Sequence, residues 1–299
     1  MPRHWWENSS GEDSEDPVRP EPAVIEDHQT RQTSTIMQKG FAFTKLADRL
    51  GSVAELSGRD LELLTKMPST IGHFGSCDRV RHKGDSPSHC CLLLQGFLCW
   101  KDQNEQQITS IYVPGDVPDL HALFGTKLDA HLTSLGPAVV AFVPHAFFHE
   151  ISSVSPSLHR ALQLLVHSDI ACLRNWIVNL GSRDSLTRVA HLFCEIAVRL
   201  WVVDLAAGGR FPSPFTQSDL ASACAISPVH TNRVIQELRR RQLLTWQSRT
   251  ITIDDWQTLS RLARFDAGYL GLRVPVVPNY AQLQEPSSPP KASALPLLC

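Results

Sequence analysis

Polar side chains between residues 229 and 236 could read the edges of base pairs. Val229, Asn232, Arg233 and Gln236 fall on one face of a predicted helix, because residues three and four apart lie on the same side of a helix. Arginine can hydrogen-bond guanine, asparagine and glutamine can hydrogen-bond adenine, and an apolar group can contact the thymine methyl. This face therefore has the chemistry of sequence-specific DNA recognition.

Five flanking residues are predicted to hold the phosphate backbone or to support the helix. Cations at the end of a helix suit its dipole and can reach phosphate. These residues are His230, Thr231, Arg239, Arg240 and Arg249, whereas Pro228 stands with Val229 at the first two positions of the predicted reading helix. The same pattern also fits an ordinary helical hairpin with a solvated polar face, and these residues alone leave both interpretations open.

Two short helices joined by a tight turn must position this face. Thr216 and Asp219 have the spacing of a capping pair at the start of the first helix. Ser227 is a good N-cap, and Pro228 stands at the first helical position, where its missing N–H costs nothing. The residues predicted to face inward on the second helix are Thr231, Val234, Ile235 and Leu238.

A small β-hairpin is predicted after the second helix. Its strands would cover residues 243–246 and 250–253, with a three-residue turn that places Arg249 at the tip. Asp254 is expected to cap a last helix that runs through Leu262. Such a hairpin is the wing of a winged helix-turn-helix, and its tip would lie near phosphate.

Residues 76–151 have a different pattern, in which short runs of β-prone apolar residues alternate with turn signals. Even spacing of this kind is typical of an all-β barrel or roll. The predicted strands are 79–82, 90–94, 97–101, 108–113, 131–135 and 139–143.

A long helix is predicted over 156–180, followed by a second amphipathic helix that Gly208-Gly209 ends. Apolar residues in the long helix step by threes and fours, a spacing that allows a parallel coiled-coil dimer. The alternative is a helix that packs only on its own domain. The residues of the seam are Leu162, Val166, Ile170, Leu173, Ile177 and Leu180.

Composition sets broad limits on the class of protein. The 299 residues carry a net charge of −2, but residues 233–249 hold five arginines against one acid, a local basic patch that suits a DNA-binding module. No apolar run approaches the roughly 20 residues of a membrane span, and we expect a cytoplasmic protein. The eight cysteines show no CxxC pair and are expected to be reduced.

The chain resembles the Crp/Fnr superfamily of bacterial transcription regulators. The run TQSDLASACAISPVHTNRVIQELRRRQLL at 216–244 and the wing segment RTITIDDWQTLSRLARFD at 249–266 carry the resemblance most specifically. KGD at 83–85, LLLQGF at 92–97 and YVPGDVPDL at 112–120 support it. The resemblance implies an effector-sensing roll, a dimerisation helix and a second reader helix in the major groove of double-stranded DNA.

The resemblance also implies a fold and domain division. The fold class would be α+β, with an N-terminal cyclic nucleotide-binding-like β-roll, a long dimerisation helix and a C-terminal winged helix-turn-helix. The expected boundaries are a disordered tail at 1–38, the roll at 39–155, the helix at 156–181, the DNA-binding domain at 182–272 and a proline-rich disordered tail at 273–299. Such a protein would act as a homodimer, would contact RNA polymerase and would not be an enzyme.

Two departures from the family pattern shape the functional expectation. Where cyclic-nucleotide binders carry a Gly-Glu pair and a later arginine for the phosphate, this chain has Asp119 and Asp129, so cyclic AMP or GMP is not expected. An iron-sulfur cluster is not expected either, because the N-terminal region lacks clustered thiols. In the reader, Pro228 and Val229 replace the usual Arg and Glu, so Arg233 should carry more of the discrimination.

Other functions stay open at this stage. The candidates for an effector pocket are Asp116, Asp119, His121 and His131. His121, His131, His145 and His149 with Asp119 could instead hold a metal or haem, and a cupin-like metalloenzyme on the roll is the enzyme alternative, although no HxH or HExxH spacing supports it. A third alternative is a regulator that has lost its effector and acts through protein contacts alone.

Overall fold

The computed structural model of the protein describes residues 42–273 except 103, 105–106, 126 and 214. The predicted N-terminal tail at 1–38 and all but Arg273 of the predicted C-terminal tail lie outside the described residues. None of the described helices is both long enough and apolar enough to cross a membrane.

The N-terminal half is a roll of seven strands with helices at its ends. It begins with α1 (residues 42–53) and α2 (Gly58–Thr65) and ends with α3 (His145–Val154). The strands are β1 (Thr70–Phe74), β2 (Arg79–Arg81), β3 (His89–Gln95), β4 (Leu98–Lys101), β5 (Ile108–Tyr112), β6 (His131–Ser134) and β7 (Ala138–Pro144), and a 3-10 turn covers Leu120–Phe124. They form two antiparallel sheets, in the orders β1-β7-β3 and β2-β6-β4-β5.

Strand β3 is buried on both of its faces. Cys91 and Leu93 pack between the two sheets, whereas Cys90, Leu92 and Leu94 pack against the helices outside them. Successive side chains of a strand point to opposite faces, so a strand covered on both sides needs an unbroken apolar run. The run CCLLL at 90–94 supplies it.

The C-terminal half is helical with one small sheet. Its helices are α4 (Pro156–Ser182), α5 (Ser185–Val202), α6 (Gln217–Ala223), α7 (Pro228–Arg240) and α8 (Trp256–Ala263), followed by a 3-10 turn at Ala267–Leu270. Its strands are β8 (Arg210–Pro212), β9 (Leu244–Gln247) and β10 (Thr250–Ile253), in the order β8-β10-β9. This arrangement confirms the predicted α+β fold class, with a β-rich N-terminal region and a C-terminal helix-turn-helix.

The two halves share one hydrophobic core. Phe97, Ile108 and Ile111 of the roll belong to the same buried cluster as Phe193 of α5 and Phe215 before α6. Phe193 and Phe215 meet edge to face, with ring centroids 6.2 Å apart, a favoured geometry for aromatic pairs. The roll and the helix-turn-helix are therefore packed against each other through apolar side chains.

Asp116 ties three parts of the chain together by ion pairs. Its carboxylate receives Arg49 Nε of α1 at 2.8 Å and Arg199 Nη2 of α5 at 2.7 Å, and it also accepts the Val113 N–H at 2.8 Å. Burial raises the pKa of Asp116, but the two guanidinium groups and the Val113 N–H outweigh burial and hold that pKa below its usual value.

Gly115 makes that approach of chains possible. Its φ of +95° lies in the region that L side chains rarely adopt. A Cβ atom there would also lie 3.1 Å from the Lys45 carbonyl oxygen and 3.2 Å from the Arg49 Cβ. The glycine of the PGD turn therefore lets α1 pack directly on the turn that carries Asp116.

All six strands predicted in the roll exist, with ends that differ by at most one residue, but some elements were missed. Strand β1 is half-exposed and interrupted by Gly72, so it lacks the alternation that marks a strand. Helix α3 and the three-residue β8 were not predicted either. Helix α5 ends at Val202, with Asp204 at a φ of 56°, so its predicted end at Gly208-Gly209 was wrong.

Two details of the predicted wing were also wrong. Gln247 pairs with Thr250, which leaves a two-residue turn of Ser248 and Arg249. The cap of α8 is Asp255, whose side chain accepts the Thr258 N–H. The neighbouring Asp254 instead accepts a hydrogen bond from Thr245 Oγ1 at 2.9 Å.

A buried carboxylate joins α2 to the start of α4. Asp60 completes a capping box with Ser57 and also accepts hydrogen bonds from the hydroxyl groups of Ser155 and Ser157. Burial raises the pKa of Asp60, but these hydrogen bonds outweigh burial and lower the pKa to about 2. Ser155 is also the N-cap of α4, so one carboxylate orders the beginnings of both helices.

We expect Asp60→Asn to lower the free energy of unfolding at pH 7 by about 2 kcal/mol, since one pKa unit corresponds to about 1.4 kcal/mol. Because the pKa of Asp60 is lower in the folded state than in the unfolded state, the ionised carboxylate stabilises the folded protein above about pH 4. That stabilisation is lost as the pH falls towards 2. Urea unfolding from pH 7 to pH 2 should show the variant and wild type converging below pH 4. Asp129→Asn, at an exposed carboxylate, is the control, and a constant difference at all pH values would contradict this account.

Candidate nucleic-acid interface

Helix α6 begins with a complete capping box. Thr216 Oγ1 accepts the Asp219 N–H at 3.1 Å, and the Asp219 carboxylate accepts the Thr216 N–H at 2.8 Å. Two amides that the helix cannot pair internally are thereby satisfied. The capping pair predicted from the sequence is confirmed.

The turn between α6 and α7 depends on a left-handed alanine. Ala225 has a φ of 50°, a conformation that costs an L-residue roughly 1–2 kcal/mol. Its N–H donates to the Ser222 carbonyl at 3.2 Å, and the Ile226 N–H donates to the Ala221 carbonyl at 3.0 Å. These bonds close the end of α6 and direct the chain into α7.

Helix α7 separates a buried face from an exposed one. Ser227 is its N-cap and Pro228 its first residue, as predicted. The inward residues are buried, and they are Thr231, Val234, Ile235 and Leu238. Thr231 also donates its hydroxyl to the Ser227 carbonyl at 3.1 Å.

The exposed face carries the four predicted base-reading residues. Val229 is 66% exposed, and Asn232, Arg233 and Gln236 are exposed as well. Within the described part of the chain, Arg233 forms no ion pair. The structure therefore brings the four side chains to one accessible surface, with the Arg233 guanidinium available for an external acceptor.

The flanking residues differ in exposure and in the partners that they contact. Arg240 and Arg241 both pair with Glu237, each at 2.7 Å. His230 turns towards α5, where its Nε2 lies 2.6 Å from Ser185 Oγ. Arg239 is exposed at the end of α7.

Arg249 lies at the wing tip, but it borders the roll. Its Nη2 is 3.2 Å from the position of a Cβ atom on Gly136, and its carbonyl accepts the Ser213 N–H at 2.7 Å. In this conformation the guanidinium would have to swing away from the roll to reach phosphate. Its predicted phosphate contact stays a prediction.

Arg188 is a residue that sequence reasoning missed. Its guanidinium donates to the carbonyls of Asn179 and Leu180 at the end of α4, and to the Arg183 carbonyl beyond it, at 2.8–3.2 Å. Its Nη1 donates to the Cys224 carbonyl at the end of α6, at 2.7 Å. One side chain therefore bridges the long helix and the helix-turn-helix.

The roll touches the same end of α6. Gln107 Nε2 donates to the Ser222 carbonyl at 2.6 Å, and the Ile108 N–H donates to Ser222 Oγ at 2.9 Å. These contacts connect the start of β5 with the C-terminus of α6. No local pattern in the sequence marks them, because each joins residues more than a hundred positions apart.

The four effector-pocket candidates do not come together. Asp119 is fully buried, pairs with Arg81 Nε at 3.1 Å and accepts the Cys91 N–H at 2.6 Å. The charge of Asp119 is therefore paired within the roll. His131 lies elsewhere, where its Nδ1 accepts the Lys83 N–H at 3.1 Å.

Asp116 and His121 line a cavity of about 50 Å³ where the roll, α4, α5 and the last 3-10 turn meet. Polar groups on its wall include Arg49, Tyr112, His121, Asp169, Cys172 and Arg199. Tyr112 donates its hydroxyl to Asp169 at 3.1 Å. Burial raises the pKa of Asp169, although the Tyr112 hydrogen bond and Arg199 act in the opposite direction.

Two of the four histidines of the alternative metal site lie in different parts of the roll. His121 lies against Trp100, with ring centroids 6.1 Å apart, and His131 lies against His82 at 5.9 Å. Burial lowers the pKa of His145. Among the described residues, no group of three or more His, Cys, Asp or Glu side chains is arranged to hold a metal ion.

The described chain thus combines a β-roll, a long helix and a capped helix-turn-helix with a β-hairpin wing. Residues 187–262 match the Crp-like helix-turn-helix domain family. This match covers α5 through nearly all of α8 and includes every predicted base-reading residue.

Part of the chain is similar in sequence to known regulatory proteins. An anaerobic regulatory protein of Pasteurella multocida is 22% identical over 162 residues, which are 54% of this chain and 59% of the relative. A fumarate and nitrate reduction regulatory protein of Vibrio cholerae is 20% identical over 166 residues, 54% of this chain and 64% of the relative. The chain thus spans about 60% of the length of these relatives.

The fold is similar to that of solved regulators. The structure of FixK2 from Bradyrhizobium japonicum superposes with a TM-score of 0.58 at 17% identity, and covers 67% of this chain and all of FixK2. The similarity is one of fold, and it extends over both the roll and the helix-turn-helix.

We expect Ala225→Gly to raise the free energy of unfolding by about 0.5–1 kcal/mol, because glycine adopts the left-handed conformation without a Cβ penalty. Ala221→Gly, within the helical part of α6, should instead lower stability by about 1 kcal/mol. Urea unfolding monitored by circular dichroism measures both variants. Equal destabilisation by the two glycines would show that the turn is not strained.

Proposed function

We propose that this protein is a sequence-specific transcription regulator of the Crp/Fnr type, which binds pseudo-palindromic DNA as a homodimer. The observation that carries the proposal is the exposed face of α7, where Asn232, Arg233 and Gln236 project from a helix whose N-terminus is capped by Ser227. Each of these side chains can form paired hydrogen bonds with a base edge in the major groove. Pro228, Val229, His230, Arg239, Arg240 and Arg249 complete the proposed interface.

Arg233 is the proposed principal reader. A duplex selected by the wild-type protein from a random library supplies the probe, and gel shift or anisotropy supplies the affinity. We expect Arg233→Ala to weaken binding to the selected site by about 1–3 kcal/mol and to flatten the preference for one base position. Arg59→Ala, an exposed arginine on α2, removes the same charge and serves as the control. Undiminished sequence preference in Arg233→Ala would refute this role.

The long helix supports the proposed homodimer. Its N-terminal half is buried on its own protomer, through Leu158, Leu162 and Leu165 among others. Further along, the predicted seam becomes exposed, by 45% at Ile170, 39% at Leu173 and 71% at Ile177. A row of exposed apolar residues on one helix face suits a parallel partner helix. Two reader helices about 34 Å apart could then enter successive major grooves.

We expect Ile177→Glu to dissociate the dimer, because a charge at the seam would lie opposite its own copy in the partner helix. Sedimentation equilibrium at micromolar concentration should show a shift from dimer to monomer. Val154→Glu, at a 48% exposed apolar residue on α3, is the matched control. If wild-type protein sediments as a monomer even with DNA present, the dimer is wrong.

We further propose that a signal acts at the cavity between the roll, α4 and α5. Any occupant would touch residues of all three parts at once, so it could favour one arrangement of the reader over another, as two-state coupling requires. The volume of about 50 Å³ limits an occupant to a few heavy atoms unless the walls rearrange. Contact with RNA polymerase and a cytoplasmic location complete the proposal.

A further inference from the structure

Arg188 lies at the junction between the proposed dimer helix and the proposed reader. The last four carbonyls of a helix have no partner within it and form the negative end of its dipole. Arg188 donates to Asn179 and Leu180 of α4 and to Arg183 just beyond, and it donates to Cys224 at the end of α6. Its guanidinium therefore hydrogen-bonds carbonyl groups at the ends of two helices at once.

The geometry of the guanidinium restricts how those two ends can move. Its donors lie in one plane in a fixed fork. Three of the four acceptors are carbonyls at or just past the end of α4. The fourth is the Cys224 carbonyl at the end of α6, which lies 2.7 Å from Arg188 Nη1. A rotation of α6 relative to α4 therefore breaks the hydrogen bonds to one of the two helices. Asn179 strengthens the junction by donating its amide to the Arg188 carbonyl at 3.2 Å.

A chain of rigid connections runs from this junction to the DNA-reading face. Helix α6 joins α7 through the closed turn at Ala225. Helix α4 carries the exposed seam that the dimer would bury. The orientation of α6 on α4 therefore sets the distance and rotation between the two readers of a dimer.

We infer that Arg188 is a positioning residue that sets the half-site spacing this protein accepts. The inference rests on the proposed function, since spacing has a meaning only for a dimer bound to DNA. Arg188 itself is half-buried and bonded to main-chain carbonyls, so it contributes no base contact. Its loss should leave recognition of a single half-site intact and relax the geometry between two half-sites.

The test compares spacing profiles. The probes are the palindrome selected from a random library by wild-type protein, the same palindrome with one or two base pairs added or removed at its centre, and a duplex with one half-site. One base pair rotates a half-site by about 35° around the duplex. We expect wild-type affinity to fall at least about tenfold for a one-base-pair change, on the scale of a lost base contact.

For Arg188→Gln we expect that loss to shrink below about threefold, while affinity for the single half-site changes by less than about twofold. Arg183→Gln removes the same charge nearby and is the control, because the Arg183 side chain donates to Asn179 Oδ1 on α4 and, among the described residues, forms no hydrogen bond to α6. If circular dichroism shows that Arg188→Gln does not fold, the spacing profile is measured with Arg188→Lys instead. The single ammonium group of lysine cannot bond the carbonyls of both helix ends. This variant should relax the profile to an intermediate degree.

Three results would overturn the inference. An unchanged spacing profile in a folded Arg188 variant would show that apolar packing alone sets the geometry. An equally relaxed spacing profile in Arg183→Gln would show that the loss of a positive charge, and not the loss of the Arg188 hydrogen bonds, causes the change. If wild-type protein selects no sequence at all, the proposed function fails and the inference fails with it, whereas a selected site with an unaffected profile refutes only the role of Arg188.

Discussion

The ion-paired carboxylate of Asp116 is the interaction on which the arrangement of the chain most depends. It binds Arg49 of α1 and Arg199 of α5, with side chains that are 13% and 11% exposed. A buried charge that loses its partner is strongly destabilising, so the three groups must stay together in the folded state. Because they belong to α1, the PGD turn and α5, the roll and the base of the helix-turn-helix domain are fixed to each other here.

Arg199 extends this ion pair into a larger network. It also contacts Glu195 at 3.3 Å, and Glu195 accepts hydrogen bonds from Trp176 of α4 and Tyr269 of the last 3-10 turn. The network therefore runs from α1 through the roll to the long helix and the end of the described chain. It borders the cavity, so an occupant there would act on groups that already hold the parts in register.

Local signals in the sequence predicted most of the fold. Capping residues such as Thr216 and Ser227 and the inward face of α7 depend only on neighbours within a few positions, and so did the turn signals around the strands. The contacts that orient the elements were not predicted. Arg188, Gln107 and the arginine partners of Asp116 and Asp119 meet their acceptors across long separations in the chain, and no spacing rule reveals which acceptor each will meet.

The shared core of the two halves has a consequence for how the molecule unfolds. Phe97, Ile108 and Ile111 of the roll are buried against α5 and the wing region, so separating the halves would expose apolar surface on both. Melting of the helix-turn-helix domain is therefore coupled to that of the roll, and the described chain has the contacts of one cooperative folding unit. A rearrangement of the helix-turn-helix relative to the roll must slide this interface without exposing its apolar side chains to water.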